Sequence, residues 1–512
     1  MTISPTRRSA VIVAALVALF LGAMDALVMS AAMPTIVAEL GGLHLYSWVY
    51  SSYFLARAVS LPIFGKLADL YQNRSLFLSA IGLFIVSSVA AGCAFNMITL
   101  IVVRVFQGIG AGGIFALVYV VLSDVSPPQS RGRTLSFASS VWGIASVIGP
   151  TLGGFIVTYF SWRWIFFINL PLGLVSLWGI GAYLTELRVK KDRVSLDFAG
   201  VATLTTAILA FLFAFLLGGR NYAWASPTII GLLVLSVAGI IIFIAIERRA
   251  QDPILSIAFF RIRGFSTGNA AVFLSSFAIF SMFAFAPLFI QGAQGRSPMA
   301  VGVAMLSLSL GWSVGSIALG QFIDRIGRKG IAVAGALCLM AGCALTLTFT
   351  PDTSISYLFV TFFIIGVGMG WVALSTLMVV QSSVQEKDLG VATSSNQFTR
   401  TLGGAVGVGI CGSFIATRFS QLFKALHASD LLDQLPGQLR GAGFGQIESL
   451  LRPEAQAVMP EALRLLVQNA VVEGVTGIFW TVTAAAGLCL LICLLMPADH
   501  RKAKRTNVAD GS

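Results

Sequence analysis

The sequence predicts an all-α integral membrane protein with fourteen transmembrane helices. Three observations lead there. Of its 512 residues, 57% are hydrophobic and only 11% charged, against roughly 25% charge in soluble domains, and the mean hydropathy is +0.89. The apolar residues gather into about fourteen runs of roughly 20, the length that crosses a bilayer as a helix. Lysine and arginine concentrate in every other connection between those runs, and so on one side, as the positive-inside rule demands.

Taken in order, the first run (11–33) follows MTISPTRRS, which carries Arg7 and Arg8 and no small-residue cleavage site. It reads as a retained helix and not a signal peptide. Within it, FLGAMDALVMSAAMP places one acid, Asp25, where a carboxylate costs about 2.5–3.5 kcal/mol. Runs at 46–67, 76–95, 99–122, 134–158 and 164–184 complete a first group of six; the second encloses Arg57, the fourth Arg104, and the fifth Gly149-Pro150. Runs at 198–217 and 228–246 follow. A second group spans 265–291, 299–322, 331–349, 355–380, 391–415 (with Arg400 inside) and 475–496. Before the last run, LFKALHASDLLDQL and PEALRLLVQNAVVEGV have helical apolar spacing and read as a solvated amphipathic pair; docking of an accessory protein is the weaker alternative.

With the N-terminus in the cytoplasm, the basic residues fall mainly on that side, and the short opposite loops hold only Arg163, Arg220 and Arg296. Both termini are therefore expected in the cytoplasm of a multi-pass cell-membrane protein. Trp48, Trp162, Trp164, Trp224 and Trp480 fall near the outer boundary, as an aromatic belt would. The excess of 33 Lys and Arg over 21 Asp and Glu is thus a topology signal, with no nucleic-acid surface implied. The six cysteines lie inside apolar runs and the three histidines outside them, which argues against a disulfide framework, a metal cluster or a histidine-based catalytic centre.

GKLADLYQNR (65–74) and GQFIDRIGRK (320–329) resemble each other, each with glycine, then aspartate four residues on, then basic residues. The repeat implies two similar halves: a six-helix bundle over 1–184, two inserted helices over 185–264, and a second bundle over 265–497. The second bundle includes a long outer loop at about 416–474, and a cytoplasmic tail follows at 498–512. Paired halves place a substrate at their interface near the bilayer midplane.

These residues carry a family resemblance over nearly the whole chain. MDALVMSAAMP, the two loop repeats, RVFQGIGAGG (104–113), GIASVIGPTLGG (143–154) and above all WRWIFFINLPLG (162–173) resemble the major facilitator superfamily, specifically its fourteen-helix drug:proton antiporters. Ala26 replaces a frequently polar position, Gln72 and Asn73 replace a glycine and an arginine of the first loop copy, and Ala145 replaces a glycine. The resemblance implies the major facilitator fold and gives Arg104 a place in proton coupling beside the first helix. It also makes the Gly149-Pro150 helix a mark of exporters.

An acid in low dielectric favours its neutral form and can exchange a proton near neutral pH, so Asp25 is the expected coupling and substrate group; a permanent ion pair with an arginine is the plain alternative. A fixed charge on Arg104 would help eject that proton. Gly149, Pro150, Gly153 and Gly154 make the fifth helix bendable and closely packed. Gly65, Asp69, Arg74, Gly320, Asp324, Arg325, Arg328 and Lys329 read as a cytoplasmic gate, a latch acting on conformational populations. Arg57, Tyr53, Gln107 and Tyr119 from the first half, with Trp312 and Trp371 from the second, are candidate cavity residues. Arg57 is expected on backbone carbonyls or Asp25, and Arg400 on carbonyls. The span-edge acids Glu39 and Glu473 are possible further proton sites.

The expected function is proton-coupled export of hydrophobic or amphiphilic small molecules, with no cofactor beyond the proton gradient, since no GxxxxGK[ST] motif occurs. The partners would be the substrate, protons and membrane lipid. A dedicated exporter of an anionic or zwitterionic metabolite is the competing reading, favoured by the arginines. A sensor or membrane enzyme is the remote one, lacking a nucleophile–base pair.

Overall fold

The computed structural model describes residues 4–42, 45–126, 131–185, 197–218, 222–250, 257–385, 388–427 and 461–498. Among them the chain is helical almost throughout. The helices are α1 (Pro5–Leu40), α2 (Tyr46–Leu70), α3 (Asn73–Gly92), α4 (Met97–Val125), α5 (Arg131–Tyr159), α6 (Trp164–Phe167), α7 (Asn169–Tyr183), α8 (Phe198–Leu217) and α9 (Pro227–Glu247). They continue with α10 (Arg263–Leu288), α11 (Pro298–Ile326), α12 (Arg328–Thr346), α13 (Ile355–Ser382), α14 (Leu389–His427) and α15 (Glu461–Leu494). The short α6 and α7 together form one crossing, so fourteen crossings result. Among the described residues, eleven helical segments are long and apolar enough to cross a membrane by length and composition alone.

Local chemistry sets the ends. Ser4 and Pro5 open α1, the Ser4 hydroxyl accepting from the Arg7 amide, and Gly41 at φ 71° closes it. Asn96, Asp197, Ser226 and Ser354 cap α4, α8, α9 and α13 in the same way. The sixth crossing, expected as one helix, breaks at Ile168. Pro171, three residues on, has no N–H to give the Phe167 carbonyl, which loosens the chain there. Likewise α10, which contains Pro287, ends in a π-turn over Phe289–Ala293.

Two stretches differ from expectation. The apolar spacing after residue 415 is the continuation of α14 to His427, and α15 begins at Glu461, well ahead of 475. No proline interrupts either stretch, so each membrane helix simply runs on. Residues 428–460, part of the expected outer loop, lie outside the described residues.

The end of the bundle where α1 finishes is called here the far face. The core of the first half is α1, packed against α4, α5 and α7; its counterpart α10 packs against α13, α14 and α15. The halves meet where α5 crosses α11 and α2 runs along α14. Contacts between them gather toward the far face. Tyr46 donates to the Ala284 carbonyl, Ser51 Oγ to Ala405 O at 3.3 Å, and Gln291 Nε2 to Ala31 O at 3.4 Å. Helices α8 and α9 pair with each other, and α8 lies over the α2–α14 seam, Leu204, Ile208 and Leu212 packing with Leu55, Ala58 and Phe398. The apolar window of α9 is only 22% buried, so its surface suits lipid and not water.

Candidate functional site

Asp25 is fully buried at the centre of a polar network. Its Oδ2 meets Arg104 Nη1 at 2.6 Å. Its Oδ1 accepts from Gln107 Nε2 at 2.8 Å and from Asn169 Nδ2 at 3.0 Å. Arg104 Nη1 also donates to Gln107 Oε1 at 2.9 Å, and Asn169 Nδ2 to Ser88 Oγ at 2.9 Å. The partners come from three directions: α4 offers Arg104 and Gln107 one turn apart, the break before α7 aims Asn169, and α3 supplies Ser88. The guanidinium of Arg104 stacks over Tyr53 at 4.0 Å, whose hydroxyl donates to Gly22 O at 3.3 Å. Glycines let these helices approach: a Cβ on Gly108 would lie 2.5 Å from Tyr53 O, and one on Gly112 2.7 Å from Arg57 O. Removing one partner of such a pair leaves a buried charge uncompensated, at about 3–5 kcal/mol.

Tyr53 and Gln107, expected on an open cavity, therefore close around Arg104 and Asp25. Asn169 and Ser88 were not singled out from sequence, although an amide inside the apolar run of WRWIFFINLPLG was the signal available. Glu39 is engaged at the far face, with Arg163 Nη1 at 2.5 Å and Trp162 Nε1 at 2.8 Å. Glu473 faces Arg418 at 3.4 Å with both side chains exposed. Of the expected aromatic belt, Trp164, Trp224 and Trp480 are exposed while Trp162 is buried on Glu39.

A second cluster joins the two halves. The guanidinium carbon of Arg57 lies 3.7 Å from the Phe115 ring centre and 5.6 Å from that of Trp142. That of Arg400 lies 4.6 Å from Trp142 and 4.9 Å from Trp312. The two indoles stack at 6.2 Å and 19°, and Phe115 leans on Trp142 at 5.5 Å. Neither arginine pairs with a carboxylate or a backbone carbonyl among the described residues, so the expected partners of Arg57 and Arg400 give way to aromatic faces. Each cation–π contact contributes about 0.5–2 kcal/mol, less than the several kcal/mol an ion loses on leaving water. Tyr119 sits half-buried one turn beyond Phe115. Trp371 does not join this cluster: its Cβ is 2.6 Å from where a Cβ on Gly335 of α12 would sit. Trp142 and Phe115 were missed, because aromatics are common in apolar runs.

At the expected gate, a Cβ on Gly65 would meet nothing within 4 Å among the described residues. Arg74 donates to the Gly181 carbonyl near the end of α7, which ties α3 to α7 instead of latching a loop. Arg328 and Lys329 open α12. The side chains of Asp69, Asp324 and Arg325, and the surroundings of Gly320, lie outside what is described. Along α5, which contains Pro150, Gly149 and Gly153 lie on α1: added Cβ atoms would fall 3.0 Å from Leu27 Cβ and 2.5 Å from Val28 O. Gly154 faces the other half, with Gly302 Cα and Pro298 O each 3.0 Å from its notional Cβ.

The family model described as Major Facilitator Superfamily matches residues 15–408. The chain belongs to that superfamily. It is a multi-pass membrane transporter, not an enzyme. It is 34% identical to the Multidrug transporter protein MdtP of Bacillus subtilis (strain 168), over 93% of this chain and 90% of that one. It is 31% identical to Multidrug resistance protein 3 of the same organism, over 92% and 91%. Efflux pump dotC of Dothistroma septosporum (strain NZE10 / CBS 128990) is 30% identical over 94% and 83%. In fold, the transporter matches a bacterial homologue of the human lysosomal transporter Spinster, solved inward-facing and unoccupied. The TM-score is 0.61 and the identity 14%, over 97% of this chain and all of that one.

Proposed function

We propose that this transporter exports hydrophobic or amphiphilic small molecules, drugs among them, in exchange for protons by alternating access. Its termini lie in the cytoplasm, and the proton gradient is its energy source. Relatives named for multidrug transport and efflux support the cargo. The observation that carries the coupling is the enclosed Asp25–Arg104 pair on α1 and α4. Ionised, Asp25 neutralises Arg104 and accepts from Gln107 and Asn169. A proton on Asp25 cancels that attraction and leaves Arg104 without its counter-charge. The network then has reason to rearrange, and α1 with it. Because α1 also packs on α5 and α10, a shift there bears on both halves. The contacts near the far face correspond, in this topology, to a state shut toward the outside.

The test is transport in proteoliposomes under an imposed pH gradient, comparing the native protein with Asp25→Asn. Proton release on adding a lipophilic compound to the native protein, absent from a variant that remains folded and still binds the compound, supports the coupling. Equal proton release from both would make the carboxylate structural.

A further inference from the structure

We propose that Arg57 and Arg400, with Trp142 between them, form a binding site for the anionic group of a flat aromatic substrate. The proposal names a substrate class for the export reading and rests on it for how that substrate is used, though binding itself needs no coupling.

Charge is the first ground. Asp25 and Arg104 neutralise each other. Arg57 and Arg400 approach the same indole from different helices, and neither pairs with a carboxylate among the described residues. Against Arg57, Arg104 and Arg400 the described residues set one carboxylate at that depth, Asp25, whose charge also reaches Arg57 through space, so the membrane interior carries an excess of two positive charges, where charged groups are ordinarily paired. Hydrogen bonding is the second. Arg57 Nε, Arg400 Nη2 and Trp142 Nε1 are buried with no partner. All three are N–H donors, and although the Tyr119 hydroxyl lies near both arginines and that of Tyr53 near Arg57, neither accepts from these three atoms, so what the site lacks is an acceptor. Shape is the third. Trp142 and Trp312 stack at 6.2 Å, and the Phe115 ring lies under Arg57, so the same place offers aromatic faces that a planar ring can join or separate. A carboxylate or sulfonate on an aromatic scaffold supplies all that is missing, and guanidinium forks suit such oxyanions. A lipophilic cation would meet two like charges. The residues come from α2, α4 and α5 on one side and α11 and α14 on the other, so a bound anion would bridge the halves.

The experiment uses the purified full-length protein in detergent and three probes on one scaffold: 1-pyrenecarboxylate, 1-pyrenemethanol and 1-pyrenemethylammonium. Binding is read by energy transfer from tryptophan to pyrene. The carboxylate should bind at least about tenfold tighter than the ammonium. Arg57→Gln and Arg400→Gln should each weaken the carboxylate about tenfold, with a smaller loss for the alcohol. Arg57→Lys should recover part of the affinity. Equal or tighter binding of the ammonium overturns the proposal, and so does native carboxylate affinity in both glutamine variants. If those variants do not fold, the native protein's ranking of the three probes decides alone. Proton-coupled export of a lipophilic cation with no anion preference would sink this site and leave the export reading standing. Arginine-dependent anion binding in a protein that moves no protons would do the reverse.

Discussion

Asp25 and Arg104 carry opposite charges in a place where each alone is unwelcome, and that makes their substitutions non-additive. Asp25→Asn strands the guanidinium, and Arg104→Gln strands the carboxylate; each should lower stability by about 3–5 kcal/mol. The double variant removes both charges and keeps the hydrogen-bonding shape. It should therefore unfold at a higher temperature than either single variant, as followed by fluorescence in detergent. If the double falls below both, the pair is not the unit described here. Asn169→Ala is the milder case. It deletes the bonds to Asp25 Oδ1 and Ser88 Oγ, the first to an ionised oxygen, at about 1.5–3 kcal/mol. An unfolding midpoint unchanged from the native protein would show that Asn169 is incidental. The two residues at the heart of the network were legible in sequence because charges inside apolar runs are rare. Asn169 was visible only as a letter in a longer motif. Among 38 phenylalanines and 9 tryptophans, nothing local told Phe115 or Trp142 from packing residues, since their meaning comes from the arginines that other helices bring to them.

At the scale of helices, the apolar runs located every crossing, because length and hydropathy are all a lipid-facing helix needs. They mislaid ends where an amphipathic stretch prolonged a helix, as in α14 and α15, and they passed over the break at Ile168, where one proline redirects the chain. The α5–α11 crossing offers a test of helix packing. Gly154 and Gly302 let the backbones approach until a side chain has no room, with Pro298 O and Gly302 Cα 3.0 Å from the Cβ position of Gly154. Gly154→Val should force the two helices apart. The expected result is a lower unfolding temperature together with greater reactivity of cysteine probes placed on the facing surfaces of α5 and α11. Normal stability and unchanged reactivity would mean that the crossing tolerates separation and does not hold the halves shut.

For the whole molecule, the alternating access proposed above requires that contacts now made near the far face break in every cycle. Ser51 on α2 and Gly409 on α14 belong to opposite halves, and a Cβ on Gly409 would lie 3.7 Å from Ser51 Oγ. A cysteine pair S51C and G409C would therefore bring its sulfurs within reach of a disulfide once the end of the Leu212 side chain, 2.6 Å from the same Cβ position, turns aside. Among the six native cysteines, Cys93 is exposed and Cys338 partly so, and both should be replaced by serine, while Cys343, Cys411, Cys489 and Cys493 are buried. Oxidation of the double-cysteine protein would fix α2 to α14 and prevent the halves from parting on that side. Transport in proteoliposomes should then fall to background and return on adding a reductant, whereas either single-cysteine protein should be indifferent to oxidant. Substrate binding measured in detergent should survive the cross-link, because the Arg57–Trp142–Arg400 cluster need only be reached from the other face. Full transport by the cross-linked protein would exclude rocking of the two halves about this seam.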